Sequence, residues 1–308
     1  MMRRRAILVL LTGLSLLVMS PVGLAGDVDL VILHTNDIHG RIEIEDGQLG
    51  LPYVGALVDY YQAEYEHVLV LDAGDAIHGK PVTNTLEGES AVMAMNAAGY
   101  DVMVSGNHDF NFGYDRLLEL KEEYMEFDLV AGNVFKEGEL LFDPYVIKDF
   151  GVYKVGIFGL ATPDTCVTTH PHNIEGIEFG AMVETADEYI TVLREEYNVD
   201  LVVALGHVGI GASREVAAAV EGIDLFVDAH SHSRLPEGEW EGDTLIVQAH
   251  EYTKYLGVVE VDLSGDVPAM QASLISAQVG RDLVEPDEQI IEMLEQFREE
   301  MYRIMLGD

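Results

Sequence analysis

Tyr100-Asp101-Val102-Met103-Val104-Ser105-Gly106-Asn107-His108-Asp109-Phe110-Asn111 is the stretch from which the rest of this chain can be read. Its apolar start has the length and composition of a short buried strand. The residues that follow, Gly113-Tyr114-Asp115-Arg116-Leu117-Leu118-Glu119-Leu120, carry apolar side chains at helical spacing. An Asn-His pair therefore stands at the carboxyl end of a strand and ahead of a helix. Open α/β sheets place their ligands in that position. One such pair says little; four more polar clusters of the same kind give it weight.

Upstream, Val28-Asp29-Leu30-Val31-Ile32-Leu33 is a strand-length apolar run that delivers His34-Thr35-Asn36-Asp37-Ile38-His39-Gly40. After a helical pattern over Pro52 to Glu66, the strand His67 to Leu71 delivers Asp72-Ala73-Gly74-Asp75, where Gly74 permits a close backbone approach. Ser90 to Ala98 reads as a helix whose methionines fill core. Downstream, Phe127 to Asn133 reads as another strand. Tyr145 to Ile147 and Tyr153 to Gly159 flank Asp149-Phe150-Gly151 as an antiparallel hairpin, so the sheet is mixed. Thr162 to Glu178, with His170-Pro171-His172, reads as a surface loop with solvated histidines. A helix over Met182 to Tyr197 precedes the strand Asp200 to Leu205, which ends at Gly206-His207-Val208-Gly209. Ile223 to Val227 then runs into Asp228-Ala229-His230-Ser231-His232. Strands over Thr244 to Ala249 and Leu256 to Leu263 precede an amphipathic helix that begins at Pro286-Asp287. No internal repeat or low-complexity linker interrupts the pattern, which is that of one α/β domain with helices outside and sheet within.

The 308 residues hold 17 basic against 55 acidic side chains, a net charge of −38. A surface so acidic repels DNA, RNA and anionic lipid head groups and is tolerated best in concentrated salt, which screens the self-repulsion. Residues 1–25 read as a cleaved signal peptide: Arg3-Arg4-Arg5, an apolar run from Ala6 to Val18, then Gly23-Leu24-Ala25. The expectation is a periplasmic or extracellular protein with no stable membrane anchor. Cys166 is the sole cysteine, which excludes an internal disulfide, and its simplest reading is a small buried hydrophobe.

The five strand ends bring Asp37 and His39, Asp75, Asn107 and His108, His207, and His230 and His232. Carboxylates, imidazoles and an amide oxygen suit Zn, Mn, Fe or Co, and the lone cysteine excludes a thiolate site. So many donors exceed the needs of one ion. Two divalent ions that share a carboxylate fit the count, and such pairs serve hydrolytic phosphoryl transfer.

Asn36-Asp37-Ile38-His39-Gly40, Gly74-Asp75, Gly106-Asn107-His108-Asp109, Gly206-His207 and Ala229-His230-Ser231-His232 resemble, in order, the five motifs of the calcineurin-like metallophosphoesterases. His34 to Gly40, together with Asn107 to Phe110, is similar to the exported 5′-nucleotidase branch. The resemblance implies a layered α/β/β/α sandwich of mixed sheets, with the catalytic domain over 26–285 and a linker-like helix over 286–308. It also implies that Asp37, His39 and His232 hold one metal, that Asn107, His207 and His230 hold the other, and that Asp75 bridges them. His108 would be catalytic, not a ligand, with Asn111 beside it.

Asn111 departs from the Asp that 5′-nucleotidases usually keep at that place to orient the catalytic histidine. The same Asn occurs in relatives that resemble 2′,3′-cyclic-nucleotide 2′-phosphodiesterases/3′-nucleotidases. Ala229 stands where a Gly is usual. Family members also commonly carry a carboxyl-terminal domain that binds the substrate, and 286–308 looks like the helix that leads to it. The reading that results is an exported dinuclear-metal phosphohydrolase of nucleotides, a 5′-nucleotidase first. The alternatives are the cyclic phosphodiesterase/3′-nucleotidase, or one non-catalytic half of a split two-domain protein whose substrate-binding half is a separate chain. The partner is a nucleotide or another small phosphoester, not a nucleic acid polymer.

Overall fold

A computed structural model describes residues 28–307 of the chain; the expected signal peptide, and with it the localisation, lies outside the described residues. The amino-terminal half alternates β1 (Leu30–Thr35), α1 (Gly50–Glu64), β2 (Val68–Asp72), α2 (Glu89–Ala97), β3 (Val102–Val104), α3 (Tyr114–Glu123) and β4 (Asp128–Val130). The hairpin β5 (Tyr145–Asp149) and β6 (Lys154–Ala161) follows. Then come α4 (Met182–Thr191), β7 (Leu201–His207), α5 (Ile210–Ala219), β8 (Leu225–Val227), β9 (Glu239–Glu241), β10 (Thr244–Val247), β11 (Tyr255–Asp262), β12 (Ala269–Ser276) and α6 (Glu288–Leu306).

Two six-stranded mixed sheets result, in the orders β12-β11-β1-β2-β3-β4 and β9-β10-β8-β7-β6-β5. β1 to β4 are parallel, as are β6, β7, β8 and β10, so the polar residues that follow these strands emerge along one edge of the double layer. Period-two alternation divides each strand between two cores. Leu30 and Ile32 face the second sheet with Leu201, Val203 and Leu205, while Val31 and Leu33 face α1 and its neighbours. On the second sheet, Val202 and Ala204 turn outward to Tyr189, Ile190 and Leu193 of the covering helix. The order of layers is helix, sheet, sheet, helix, as the resemblance implies. Strands buried on both faces read as continuous apolar runs, which is why periodicity alone yields one generic sheet where the protein builds two.

α6 has the strongest apolar stripe of the described helices and lays it on the first sheet's helical layer. Its Asp287 side chain caps the first turn, and Ile290, Leu294 and Met301 are buried against α1, α2 and their surroundings. No helix among the described residues is long and apolar enough to cross a membrane. Three details differ from the sequence reading. The expected helix to Tyr197 is α-helical only to Thr191 and continues as a π-helical turn, Val192–Glu196. A small sheet of Val134–Lys136, Glu139–Leu140 and Ile177–Phe179 was not anticipated, because strands of two or three residues are too short to show a period. Cys166 is exposed, on the short helix Thr165–Thr168, and not buried.

β1 and β11 pair so that the His34 ring lies over Gly257: a Cβ on Gly257 would lie 1.9 Å from the His34 Nε2. Gly257→Ala is therefore expected to overpack the site, by about 1–3 kcal/mol, and to lower the melting temperature by several degrees. Truncating the ring in a His34→Ala/Gly257→Ala double variant should leave a smaller loss than the two single losses added. His34 is almost fully buried with Nδ1 unpartnered, and burial lowers its pKa from 6.5 to about 3. The unfolded chain accepts this proton below pH 6.5 and the folded protein refuses it until about pH 3, so stability falls as pH drops through that window. Urea midpoints should decline between pH 7 and pH 4.5, and less steeply for His34→Gln.

Candidate metal centre

The ends of β1, β2, β3, β7 and β8 enclose a cavity of about 470 Å³ lined by His39, Asp75, Asn107, His108, His230 and His232, among others. Asp37, Asp75 and His207 are buried, with one donor atom from each lying within 4.8 Å of the other two. Asp37, His39 and His232 form a second such group, and His39, Asp75 and His108 a third. His207 Nε2 lies 3.2 Å from Asp75 Oδ2 and 3.2 Å from Asn107 Oδ1. His230 stands edge-on to His207, with ring centroids 5.1 Å apart, and its backbone N–H donates to Asp37 Oδ2 at 3.1 Å. Asn111 is behind the cavity wall, 2.8 Å from His108 Nδ1. All nine residues singled out in the sequence converge here; His170 and His172 are exposed and apart.

Backbone conformation aims these side chains. Asp37, His39, Asp75, His230 and His232 all have positive φ, between 48° and 71°. The left-handed region is unfavourable for residues with a Cβ, and such strain gathers at functional sites. Gly106 allows the approach of the next turn: a Cβ there would fall 2.2 Å from Asp75 Oδ1 and 2.4 Å from the Asp75 nitrogen. Through that contact the Asp75 carboxylate accepts the His108 N–H at 2.7 Å.

The charges are compensated unevenly. Burial opposes ionisation of Asp75, yet His207, with His39 and His108, holds its pKa below the usual carboxylate range. His207 is raised in return: burial resists the imidazolium, but Asp75, Asp37 and the Ala73 carbonyl outweigh it. Burial lowers His39 to about 4 against the pull of Asp75 and Asp37. Asp37 raises His232 despite partial burial. One acceptor remains unmatched. Asp37 Oδ1 is buried without a well-formed hydrogen bond, although His232 Nε2 is 3.2 Å away. A buried carboxylate oxygen without a donor, among imidazoles and a second carboxylate, fits divalent cations of the borderline class.

Several contributors have roles that the motifs do not assign. The buried Asp109 carboxylate accepts from four backbone nitrogens, those of Gly106, Asp75, Ala76 and Ile77, at 2.7–3.2 Å. Burial and the nearby Asp75 raise it to about 6. Asp228 ties the β7 and β8 ends together through Val208, Gly209, Ser213 and Gln248, and burial raises it to about 7. The loop after β10 carries His250, Tyr252 and Thr253 at positive φ. Asn36 holds this loop by donating to the His250 carbonyl and accepting from the Ala249 nitrogen. The loop delivers Glu251 Oε2 to His232 Nδ1 at 2.5 Å, which orients Nε2 toward Asp37. It also places the Tyr252 ring against His39, with the Arg41 guanidinium stacked 3.4 Å from its centroid. The only sequence signal for Glu251 is an acid shortly after a strand, which this acidic chain repeats many times.

Residues 30–234 match the family model described as calcineurin-like phosphoesterase. The trifunctional nucleotide phosphoesterase YfkN of Bacillus subtilis is 30% identical over 312 residues, covering 89% of this chain and 21% of YfkN. The 5′-nucleotidase of Vibrio cholerae is 31% identical over 283 residues, covering 80% of this chain and 51% of its own length. Among solved structures, a 5′-nucleotidase precursor from Thermus thermophilus superposes with a TM-score of 0.77 at 28% identity, covering 90% of this chain and 59% of that one. The chain thus spans about half the length of the 5′-nucleotidases it matches.

A carboxylate that accepts from the far nitrogen of a metal-binding imidazole fixes its tautomer and raises its basicity, and loss of such a partner typically costs 10–100-fold in affinity. Glu251→Gln is expected to weaken Mn or Zn binding by about that factor, measured by titration calorimetry. His172→Ala, on an exposed ring, should bind as the parent does.

Proposed function

The chain belongs to the calcineurin-like phosphoesterase family and is a metal-dependent phosphoester hydrolase; on that premise we propose that it hydrolyses nucleotide phosphomonoesters, 5′-nucleotides first, with two divalent cations. The observation that carries the proposal is the pair of buried carboxylates, Asp37 and Asp75, ringed by imidazoles at the strand ends, with Asp75 opening into the cavity. Asp37, His39 and His232 would hold one cation in this reading, Asn107, His207 and His230 would hold the other, and Asp75 would be the ligand they share. When bound, such a pair supplies Lewis acidity to the phosphoryl oxygens and makes water a nucleophile at neutral pH.

The chain's own residues do the rest. His108 has Nδ1 occupied by Asn111 and keeps Nε2 for the substrate. It donates there to a phosphoryl oxygen and stabilises the charge that develops on it. Arg41 lines the same cavity, held on Tyr252, and offsets the phosphate's charge where the protein's overall acidity would repel it. Asp109 fixes the Gly74-Asp75 and Gly106-Asn107 turns relative to each other, so the two loops cannot separate. Tyr252 is the one large aromatic side chain in the lining, and Arg41 covers it, which leaves little to select a base. Base recognition is assigned to a substrate-binding domain outside these residues, and location to export by the amino-terminal segment.

A second reading, 2′,3′-cyclic-nucleotide phosphodiesterase with 3′-nucleotidase activity, is favoured by Asn111. Its amide gives His108 a neutral partner where an Asp would give a charged one.

The test is phosphate release from AMP, its 3′ isomer, 2′,3′-cyclic AMP and an aryl phosphate, with Mn or Zn in high salt. Preference for AMP is expected; preference for the cyclic ester would transfer the assignment to the second reading. Asp75→Ala should lose metal and activity together, by at least about a thousandfold in turnover. His108→Ala should lower turnover about 10²–10⁴-fold while the metal content stays at the parental value. Full turnover by Asp75→Ala would overturn the metal assignment.

A further inference from the structure

His78 belongs to none of the five strand-end clusters, yet it lines the same cavity as His108 and His230. Its ring lies parallel to that of His108, with an interplanar angle of 4° and centroids 5.9 Å apart. Phe112 braces His78 at 5.3 Å. A single atom joins the two imidazoles. Asn111 Nδ2 is 2.8 Å from His108 Nδ1 and 3.1 Å from His78 Nδ1. An amide nitrogen carries two hydrogens and donates one to each ring, so both rings accept at Nδ1 and carry their proton on Nε2. Neither Nε2 has a protein hydrogen-bond partner among the described residues.

We propose that His78 is a substrate-contacting residue that presents its Nε2–H to the sugar of a nucleotide whose phosphate lies at His108, with Asn111 setting both tautomers. The inference rests on the nucleotide reading above. His108 stands next to His39, 5.1 Å between centroids, and so faces the reacting phosphoryl group. His78 lines the same cavity one ring away from His108, within reach of the sugar that a phosphate there carries. A neutral N–H suits a hydroxyl acceptor. A second anionic group would call for a cation, and the cation in the lining, Arg41, is stacked on Tyr252. One amide thereby serves two donors: a residue that orients the catalytic histidine also orients the one that selects the substrate. An Asp in place of Asn111 has no N–H to share and could not hold both rings in this tautomer.

The test compares a nucleotide monophosphate with an aryl phosphate, which has no sugar, for the parent, His78→Ala and His78→Gln. For His78→Ala, the ratio of kcat/KM on the nucleotide to kcat/KM on the aryl ester should fall about tenfold, chiefly through KM. His78→Gln keeps a side-chain N–H and should recover most of that ratio. Metal content and circular dichroism establish that each variant is folded and loaded. A fall in kcat of equal size on both substrates would mean that His78 acts only by holding Asn111 on His108, and would overturn the contact. A ratio that stays at the parental value would overturn it as well. Failure of the parent itself to hydrolyse any nucleotide, with the aryl ester turned over, would sink the nucleotide reading and the sugar contact with it.

Discussion

Five carboxylates, Asp37, Asp72, Asp75, Asp109 and Asp228, are buried where the two sheets meet, and the rest of the structure answers to that concentration of charge. An unpaired buried carboxylate is among the costliest groups a protein can hold. Three of the five are settled within the protein. Asp72 takes the Thr35 hydroxyl and the Gly74 nitrogen, Asp109 takes four backbone nitrogens, and Asp228 takes two backbone nitrogens and two side-chain donors. Asp75 leans on His207, and Asp37 keeps one oxygen without an aligned donor. The scaffold thus gives every one of these carboxylates its donors except Asp37, whose Oδ1 points among the imidazoles without one. A site that has to attract cations is left short of donors, and the turns that carry it are stitched by carboxylates that never face the substrate.

Backbone strain follows the same division. Eleven described non-glycine residues have positive φ, and eight of them are Asp37, His39, Asp75, His230, His232, His250, Tyr252 and Thr253. Strain of roughly 1–3 kcal/mol each persists only where surrounding contacts over-determine the backbone. Asn36, Asp109 and Thr253 supply those contacts. Asn36 bonds the loop after β10 at two points, and the Thr253 carbonyl and hydroxyl receive the Leu49 and Gly50 nitrogens.

The layered fold and the nine candidate residues are legible in the sequence because α/β architecture forces chemistry to the carboxyl ends of strands. An Asp or His that closely follows a buried apolar run therefore declares its position. Asp37, Asp75, His207 and His232 are all of this type. Glu251, Arg41 and His78 are not, since their roles come from partners far away in the chain: His232 for Glu251, Tyr252 for Arg41 and Asn111 for His78. Spacing cannot report such pairings. Cys166 fails for a related reason. Thiols are usually buried, but this one falls on a one-turn helix in the loop after β6, and no sequence pattern distinguishes that helix from loop.

The pairing of β1 sets an order of events in synthesis. Leu30 to Thr35 lie between β2, made soon afterwards, and β11, where Leu30 faces Val261 and His34 faces Gly257. Until the ribosome has passed residue 262, an apolar strand at the centre of the first sheet has a bare edge, open to pairing with other chains. Closing so long a loop is slow, and local helix formation does little to hasten it. The strand that carries Asp37 and the loop that carries Glu251 come together in that same closure. A nascent chain would therefore gain metal affinity late and at once, and its greatest exposure to aggregation falls just before it becomes able to bind.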